Sequence, residues 1–456
     1  MADHSSLTGT LARFGKVGLQ LGGFAAQAGA ARLGGRDFAD PKNAAELRRA
    51  LGSLKGPVMK IAQILSTIPD ALPPQFAAEL AQLQANAPPM GPGFLRRRMG
   101  AELGPDWRNR FGTFDDTAVA AASLGQVHRA TLPGGAPVAV KLQYPDMSSA
   151  VEADLKQLDM LFGALRMVDK SIDPSEIREE LAARLREELD YAREARHLSL
   201  YRAMLADNPH AHVPGVHPDL STTRLLTMDW LDGAPLMSFK GADQATRDTI
   251  AERLFNAWYA PFYRYGIIHG DPHMGNYSVR PDLGINLLDF GCVRIFPPRF
   301  IGGVNRLYHA IEANDRDAAV HAFELWGFRD LSREIIETLL IWAEFLYGPL
   351  LDDRVRPIAD NIAPGEYGRA TAAKVHARLR TLGTVTVPAE FVFMDRAAIG
   401  LGGVFIHMDA RLNWHRLFRG LMDDFDEAEV ATRQSRALHD AGLSAEGADG
   451  KSAATL

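Results

Sequence analysis

Cysteine is nearly absent: among 456 residues only Cys292 occurs. An intramolecular disulfide and a thiolate metal cage are both excluded, which fits a reducing compartment, cytoplasmic or like the mitochondrial matrix. Surplus positive charge is missing as well. The formal net charge of −6 leaves no broad basic surface to neutralise phosphates, so nucleic acid is not an expected partner. Arg96-Arg97-Arg98 is a local exception and reads as a solvated helix face. No apolar run reaches the about 20 residues that a bilayer-spanning helix needs. The longest uncharged stretch, VGLQLGGFAAQAGAA at 17–31, is too short and too rich in Gly and Ala, and suits an interfacial or loosely packed helix. No charged region followed by a compact apolar core opens the chain, so no secretory leader is expected.

What is present has ordinary globular proportions, 46% hydrophobic and 23% charged, on a chain long enough for a bilobal domain with additions. Residues 1–40 form a flexible Gly/Ala-rich segment. Helical spacing sets in over 41–110, interrupted by PPMGPG at 88–93. A strand-rich lobe is expected over 111–235. There GQVHRATL, PGG and PVAVKLQ read as a hairpin, residues 148–168 and 174–205 as helices, and TRLLTMDWLDG as a buried strand leading into a connector. A helical lobe spans 236–433, with a second small hairpin formed by NYSV, RPDLG and INLLDF. The polar, small-residue tail 434–456 is expected to be disordered.

The chemistry concentrates in HGDPHMGN, 269–276, just before INLLDFG. Two His, an Asp and an Asn in eight positions suggest a metal cage, but the spacing favours another reading. The catalytic loop of protein kinases runs H-R-D-x-x-x-x-N, then a short hairpin and D-F-G. Here His269-Gly270-Asp271, then Asn276, then Asp289-Phe290-Gly291 repeat that layout, with Gly270 in place of Arg. Mg²⁺ prefers hard oxygen ligands, which Asn276 and Asp289 supply, leaving Asp271 to orient or deprotonate a nucleophile. His269 is then expected to pack and hold the loop rather than to ligate, and His273 lies between the anchors. A strand lysine should precede this loop to meet nucleotide phosphates, and Lys141 in VAVK does. The expected fold is α+β: a bilobal protein-kinase-like fold with an N-terminal helical extension and a mostly helical C-terminal lobe.

The Gly-rich phosphate loop is another absence, since AVAAASLGQVH (118–128) stands where G-x-G-x-x-G would. Alanines restore a Cβ and stiffen such a loop. With AAASLGQVH, VAVK, ELDYAREA, HGDPHMGN and LLDFG together, the chain resembles the UbiB family of atypical kinases (AarF-domain-containing kinases) from about 55 to 300, and more weakly to about 410. The resemblance implies ATP and Mg²⁺ as cofactors and a role in ubiquinone, or isoprenoid-quinone, biosynthesis. It implies nucleotide contacts from Ala120, Ala121, Ala122, Ser123, Gln126 and Lys141, with backbone groups of Asp229 and Leu231 at the adenine. The family's K-x-G-Q motif is matched by Lys60-Ile61-Ala62-Gln63, with Ala for Gly, and its E-x-D motif by Glu188-Leu189-Asp190. On one ideal helix Glu188 and Glu194 point about 120° apart and can serve two lysines. Glu194 is assigned to Lys141, and Glu188 and Asp190 to Lys60 and Gln63; the reverse pairing stays open.

No A-P-E and no long activation segment follow Asp289, so a peptide-gripping platform is missing. A small molecule, a lipid, or ATP hydrolysis alone suits the site better. Expected partners are a nucleotide, a lipid or quinone-precursor ligand, quinone-biosynthesis proteins, and a membrane surface met peripherally, with 12–35 as the contact. The alternatives are a small-molecule kinase of the aminoglycoside-phosphotransferase type and a nucleotide-binding scaffold without turnover.

Overall fold

The structure, a computed structural model, describes residues 91–122, 124–152, 155–156, 182–183, 185–359 and 388–444, with single positions between 368 and 378. Lys60, Gln63, Ser123 and the segment 1–40 lie outside the described residues. In chain order the elements are helix α1 (Pro92–Leu103), strands β1 (Thr113–Phe114), β2 (Ala120–Ala122), β3 (Gly125–Thr131) and β4 (Pro137–Gln143), helix α2 (Tyr191–Met204), and strands β5 (Ala211–His212), β6 (Leu225–Asp229) and β7 (Ala234–Pro235). Helix α3 (Gln244–Tyr265) and strands β8 (Ile267–His269), β9 (Tyr277–Val279), β10 (Ile285–Leu287) and β11 (Val293–Ile295) follow. The rest is helical: α4 (Pro298–Glu312), α5 (Arg316–Leu325), α6 (Arg333–Tyr347), α7 (Ala389–His407), α8 (Trp414–Met422) and α9 (Glu427–Asp440).

Two compact units divide the chain, 1–193 with 217–230, and 194–216 with 231–456. The strand-rich lobe expected over 111–235 is therefore not contiguous. Residues 194–216 belong with the second unit because β5 pairs in parallel with β10 there, Ala211 opposite Ile285.

In the first unit β3 and β4 form the expected hairpin, and β4 also pairs antiparallel with β6. Period-2 alternation turns Val138, Val140 and Leu142 to one face, where they pack with Leu95 and Met99 of α1 and with Trp107, Phe111 and Leu225. Ala139 and Lys141 take the other face. The Ala-rich stretch is itself a strand, with Ala122 opposite Gly125 and Ala120 opposite Val127. Gly125 has no room for a side chain: a Cβ there would run into the Leu142 carbonyl oxygen and lie 2.8 Å from Tyr191 Oη.

Residues 174–205 are not one helix. The chain is helical over 185–188, turns at Leu189 and Asp190, and restarts as α2. Asp190 caps the new helix, its Oδ1 accepting from Arg193 N at 3.0 Å. Glu188 and Glu194 thus lie on different helices, and the angle drawn for a continuous one does not apply.

In the second unit Asp243 caps α3 by accepting from Thr246 N, and Gly266 ends it at φ +66°. The chain turns there into β8, which pairs with β11, while β9 and β10 make the second expected hairpin. The tail expected from 434 begins inside α9, which runs to Asp440. Its polar composition hides a stripe of buried Val430, Gln434 and Leu438. Gln434 Nε2 donates to Tyr265 O at 2.8 Å and Phe296 O at 2.9 Å, satisfying a carbonyl at the C-terminus of α3.

Candidate active site

The loop that follows β8 is built around His269, which is 1% exposed. Its Nε2 lies 2.5 Å from Asp289 O, and its Nδ1 accepts from Asp271 N at 3.2 Å. A carbonyl can only accept and an amide N–H only donate, so the ring carries its proton on Nε2. Trp258, Tyr201 and Phe290 surround the ring with centroids at 5.6, 6.2 and 5.3 Å. With both nitrogens engaged by the backbone, His269 packs and braces as its position suggested. His273 is exposed, and its Nδ1 accepts from Gly275 N at 3.1 Å.

Asp271 and Asn276 meet directly. Asn276 Nδ2 donates to Asp271 O at 3.1 Å and to Asp271 Oδ2 at 3.3 Å. That fixes the amide's orientation, so its hard oxygen, Oδ1, is the atom turned away from the pair. Asn276 O also accepts from Leu288 N at 3.0 Å, tying the loop to the residue before Asp289. Asp289 folds its own carboxylate back, with Oδ1 accepting from Gly291 N at 3.1 Å. Below the loop, Trp258 Nε1 donates to Tyr277 Oη at 2.7 Å. Burial, and then the charge of Asp271, hold the Tyr277 hydroxyl well above its ordinary titration range, so it stays a neutral phenol.

Sequence reasoning missed His197. It lies three residues after Glu194 on α2, hence on the same helix face, and its Nδ1 donates to Phe290 O at 2.9 Å. Glu194, 3% exposed, accepts from Phe290 N at 3.5 Å, a weak contact at that length. Two histidines therefore grip consecutive carbonyls, His269 that of Asp289 and His197 that of Phe290. The i, i+3 spacing of Glu194 and His197 was the available signal.

Gly270 stands where the kinase pattern has Arg, and the packing accounts for it. A Cβ there would lie 2.6 Å from Cys292 Sγ. The Gly270 amide donates to Cys292 O at 2.7 Å, holding the two segments together. Cys292 is thus a packed thiol, as expected.

In the first unit Lys141 is 7% exposed, with Nζ 5.2 Å from the centre of the Tyr191 ring. Gln126 requires a correction. It pairs with Leu142 across the hairpin whereas Val127 pairs with Lys141, so Gln126 lies on the core face, opposite the lysine. Its side chain is 1% exposed and joined to His128 at 2.7 Å, Nε2 to Nε2. His128 Nδ1 donates to Asp115 O at 2.8 Å, so its Nε2 accepts from the glutamine amide. The Gln126 side chain is a core anchor rather than a nucleotide ligand. Ala120, Ala121 and Ala122 offer strand backbone beside it. Asp229 ends β6 with its Oδ1 3.0 Å from His217 Nε2, and Leu231 follows at the start of the second unit. Glu188 is half-buried at the end of its helical turn.

An antiparallel sheet carrying a buried strand lysine, and a mostly helical unit carrying His-Gly-Asp, Asn and Asp-Phe-Gly on braced loops, define a kinase-like fold of mixed α and β. The chain belongs to the ABC1 atypical kinase-like domain family, whose model matches residues 82–323. It is 33% identical over 280 residues to the atypical kinase COQ8, mitochondrial, of Saccharomyces cerevisiae, covering 61% of this chain and 56% of that protein. To the atypical kinase COQ8B, mitochondrial, of Rattus norvegicus it is 29% identical over 452 residues, covering 94% and 82%. The chain thus spans about half the length of the first curated relatives it matches. A solved structure of the Mycobacterium tuberculosis protein Rv3197 in complex with erythromycin aligns with TM-score 0.59 at 29% identity, over 84% of this chain and 96% of that one. Among the described residues no helix is long and apolar enough to cross a membrane.

Proposed function

We propose that this chain is an ATP-dependent atypical kinase or ATPase that supports isoprenoid-quinone synthesis and acts on a small or lipid acceptor, or on water, rather than on a protein. The observation that carries the reading is the bracing of Asp271, Asn276 and Asp289: two buried histidines fix the backbone from which these side chains project. Positioning and electrostatics supply nearly all of phosphoryl-transfer catalysis, so rigid placement of these groups is what the chemistry requires.

The residues fit Mg²⁺. Asn276 Oδ1 and the Asp289 carboxylate are hard oxygen donors, and the ion, when bound, offsets charge on the phosphates. Asp271 orients the attacking hydroxyl or water and takes its proton as the new O–P bond forms and the β,γ-bridge breaks, releasing ADP. Lys141 supplies a point charge for the α/β-phosphates, Glu194 keeps the carboxylate role that the resemblance assigns it, and backbone groups near Asp229 and Leu231 meet adenine. Lys60, Gln63, Glu188 and Asp190 keep their place as family motifs, although the Asp190 carboxylate already serves as a helix cap. The names of two relatives, COQ8 and COQ8B, both mitochondrial, support a quinone-pathway setting; peripheral membrane contact is part of the same proposal.

The test is steady-state ATP hydrolysis with Mg²⁺, with and without anionic liposomes and a quinone-precursor mimic, against Asp289→Asn. Metal-dependent turnover that vanishes in the variant is the expected result. Nucleotide binding with no turnover under any of these conditions would replace this reading with that of a scaffold.

A further inference from the structure

The second unit contains a cavity of about 80 Å³ walled by α3, α4, α6, α7 and α8. Its lining includes Phe255, Val304, Trp326, Met394, Ala398 and Gly402, and no charged residue takes part. Two of the polar side chains at the wall, Tyr347 and Trp326, are turned to the backbone. Tyr347 Oη donates to Val304 O at 3.1 Å, and Trp326 Nε1 donates to Phe300 O at 3.1 Å. A space lined mainly by apolar side chains offers water few partners, and apolar cavities of about 150 Å³ stay dry and take up benzene. This one is smaller and admits roughly one isoprene-sized group. Met394 gives the wall an adaptable side chain, while Ala398 and Gly402, one turn apart on α7, leave the space unfilled.

Helix α7 has a second neighbour. Gly400, on the opposite side of the helix from Ala398 and Gly402, is so close to Pro272 that a Cβ would run into the proline ring. Pro272 adjoins Asp271. One helix therefore forms a wall of the cavity with one face and touches the catalytic loop with the other.

We infer that this cavity binds the end of an uncharged hydrocarbon chain, and that α7 carries its occupancy to residues 271–276. The class of ligand follows from the lining: a charged group would enter without a counter-charge, whereas a branched hydrocarbon exchanges water for close contact. That the sensing loop is catalytic rests on the function proposed above; binding and its transmission do not. The probes are isoprene and toluene, added to the full chain. Binding is read by the shift of the Met394 methyl resonance, and transmission by hydrogen exchange of the peptide containing 271–276. Saturable shifts, slower exchange in the loop, and at least about tenfold weaker binding in Ala398→Leu are expected, since the added side chain occupies the space. Val304→Leu, which fills from α4, keeps the test open if the first variant does not fold. No saturable shift with either probe, or equal binding in the filled variants, overturns the site. Binding without change in the loop overturns the transmission. Neither result depends on ATP turnover, so failure here and failure of the kinase reading are distinguishable.

Discussion

Replacing His269 with Phe tests whether the segment carrying Asp271 and Asp289 is held by hydrogen bonds or by packing. Phe keeps an aromatic ring of similar volume among Trp258, Tyr201 and Phe290, so no cavity opens. What disappears is the bond to Asp289 O and the acceptor for Asp271 N. Each bond contributes about 1 kcal/mol net, and leaving the backbone groups buried and unpaired raises the combined cost to about 2–4 kcal/mol. For a unit of roughly 250 residues each kcal/mol lowers the midpoint by about 2–4 °C, so His269→Phe should melt about 5–15 °C below wild type. Differential scanning calorimetry reads the shift, and hydrogen exchange over 288–292 shows whether Asp289-Phe290-Gly291 has loosened. His197→Phe should loosen the same segment, and the double variant should lose less than the sum, because the two rings hold adjacent carbonyls. A midpoint within about 2 °C of wild type, with unchanged exchange at 288–292, would mean that packing alone holds the loop.

Gly125→Ala should destabilise the first unit by about 1–3 kcal/mol, since the Leu142 carbonyl is backbone and cannot swing aside; thermal unfolding checks this. Gly270→Ala should cost a similar amount, and adding Cys292→Ala should recover most of it, because Sγ is the atom in the way at 2.6 Å. His128 should make the fold sensitive to acid. Burial lowers its pKa below the ordinary 6.5, so the unfolded chain binds this proton more readily than the folded one. Stability should then be full above pH 6.5 and fall as the pH drops below it, and unfolding midpoints against pH should be flatter for His128→Asn. Isoprene or toluene should lower the exchange of 271–276 in wild type but not in Ala398→Leu.

The candidate catalytic loop was legible as a kinase-like pattern because that pattern lies in local spacing. Asp271 to Asn276, then Asp289-Phe290-Gly291 after a hairpin, requires no distant contact to be recognised, and the hairpins at 125–143 and 277–287 followed from alternation and turn residues. Gln126 was misread because the face of a strand residue is set by register: pairing Val127 with Lys141 sends Gln126 to the core, and a shift of one residue would have reversed it. Glu188 and Glu194 were placed on one helix because propensity does not reveal that Asp190 stops one helix and caps the next. The buried stripe of α9 was lost in a polar composition, since three inward positions suffice once the rest of the unit receives them.

The sequence by itself determined the residue types available to this protein: oxygen-bearing side chains of the kind the proposed Mg²⁺ site needs, a strand lysine, a net charge of −6 and a single cysteine. Those follow from residue type and short-range order. Only the tertiary structure decided what holds that chemistry in place: His197 under Phe290, Cys292 against Gly270, Gln434 at the end of α3, and an apolar cavity behind the helix that touches Pro272. Each joins residues far apart in the chain, and such contacts depend on packing and register, which no local pattern encodes.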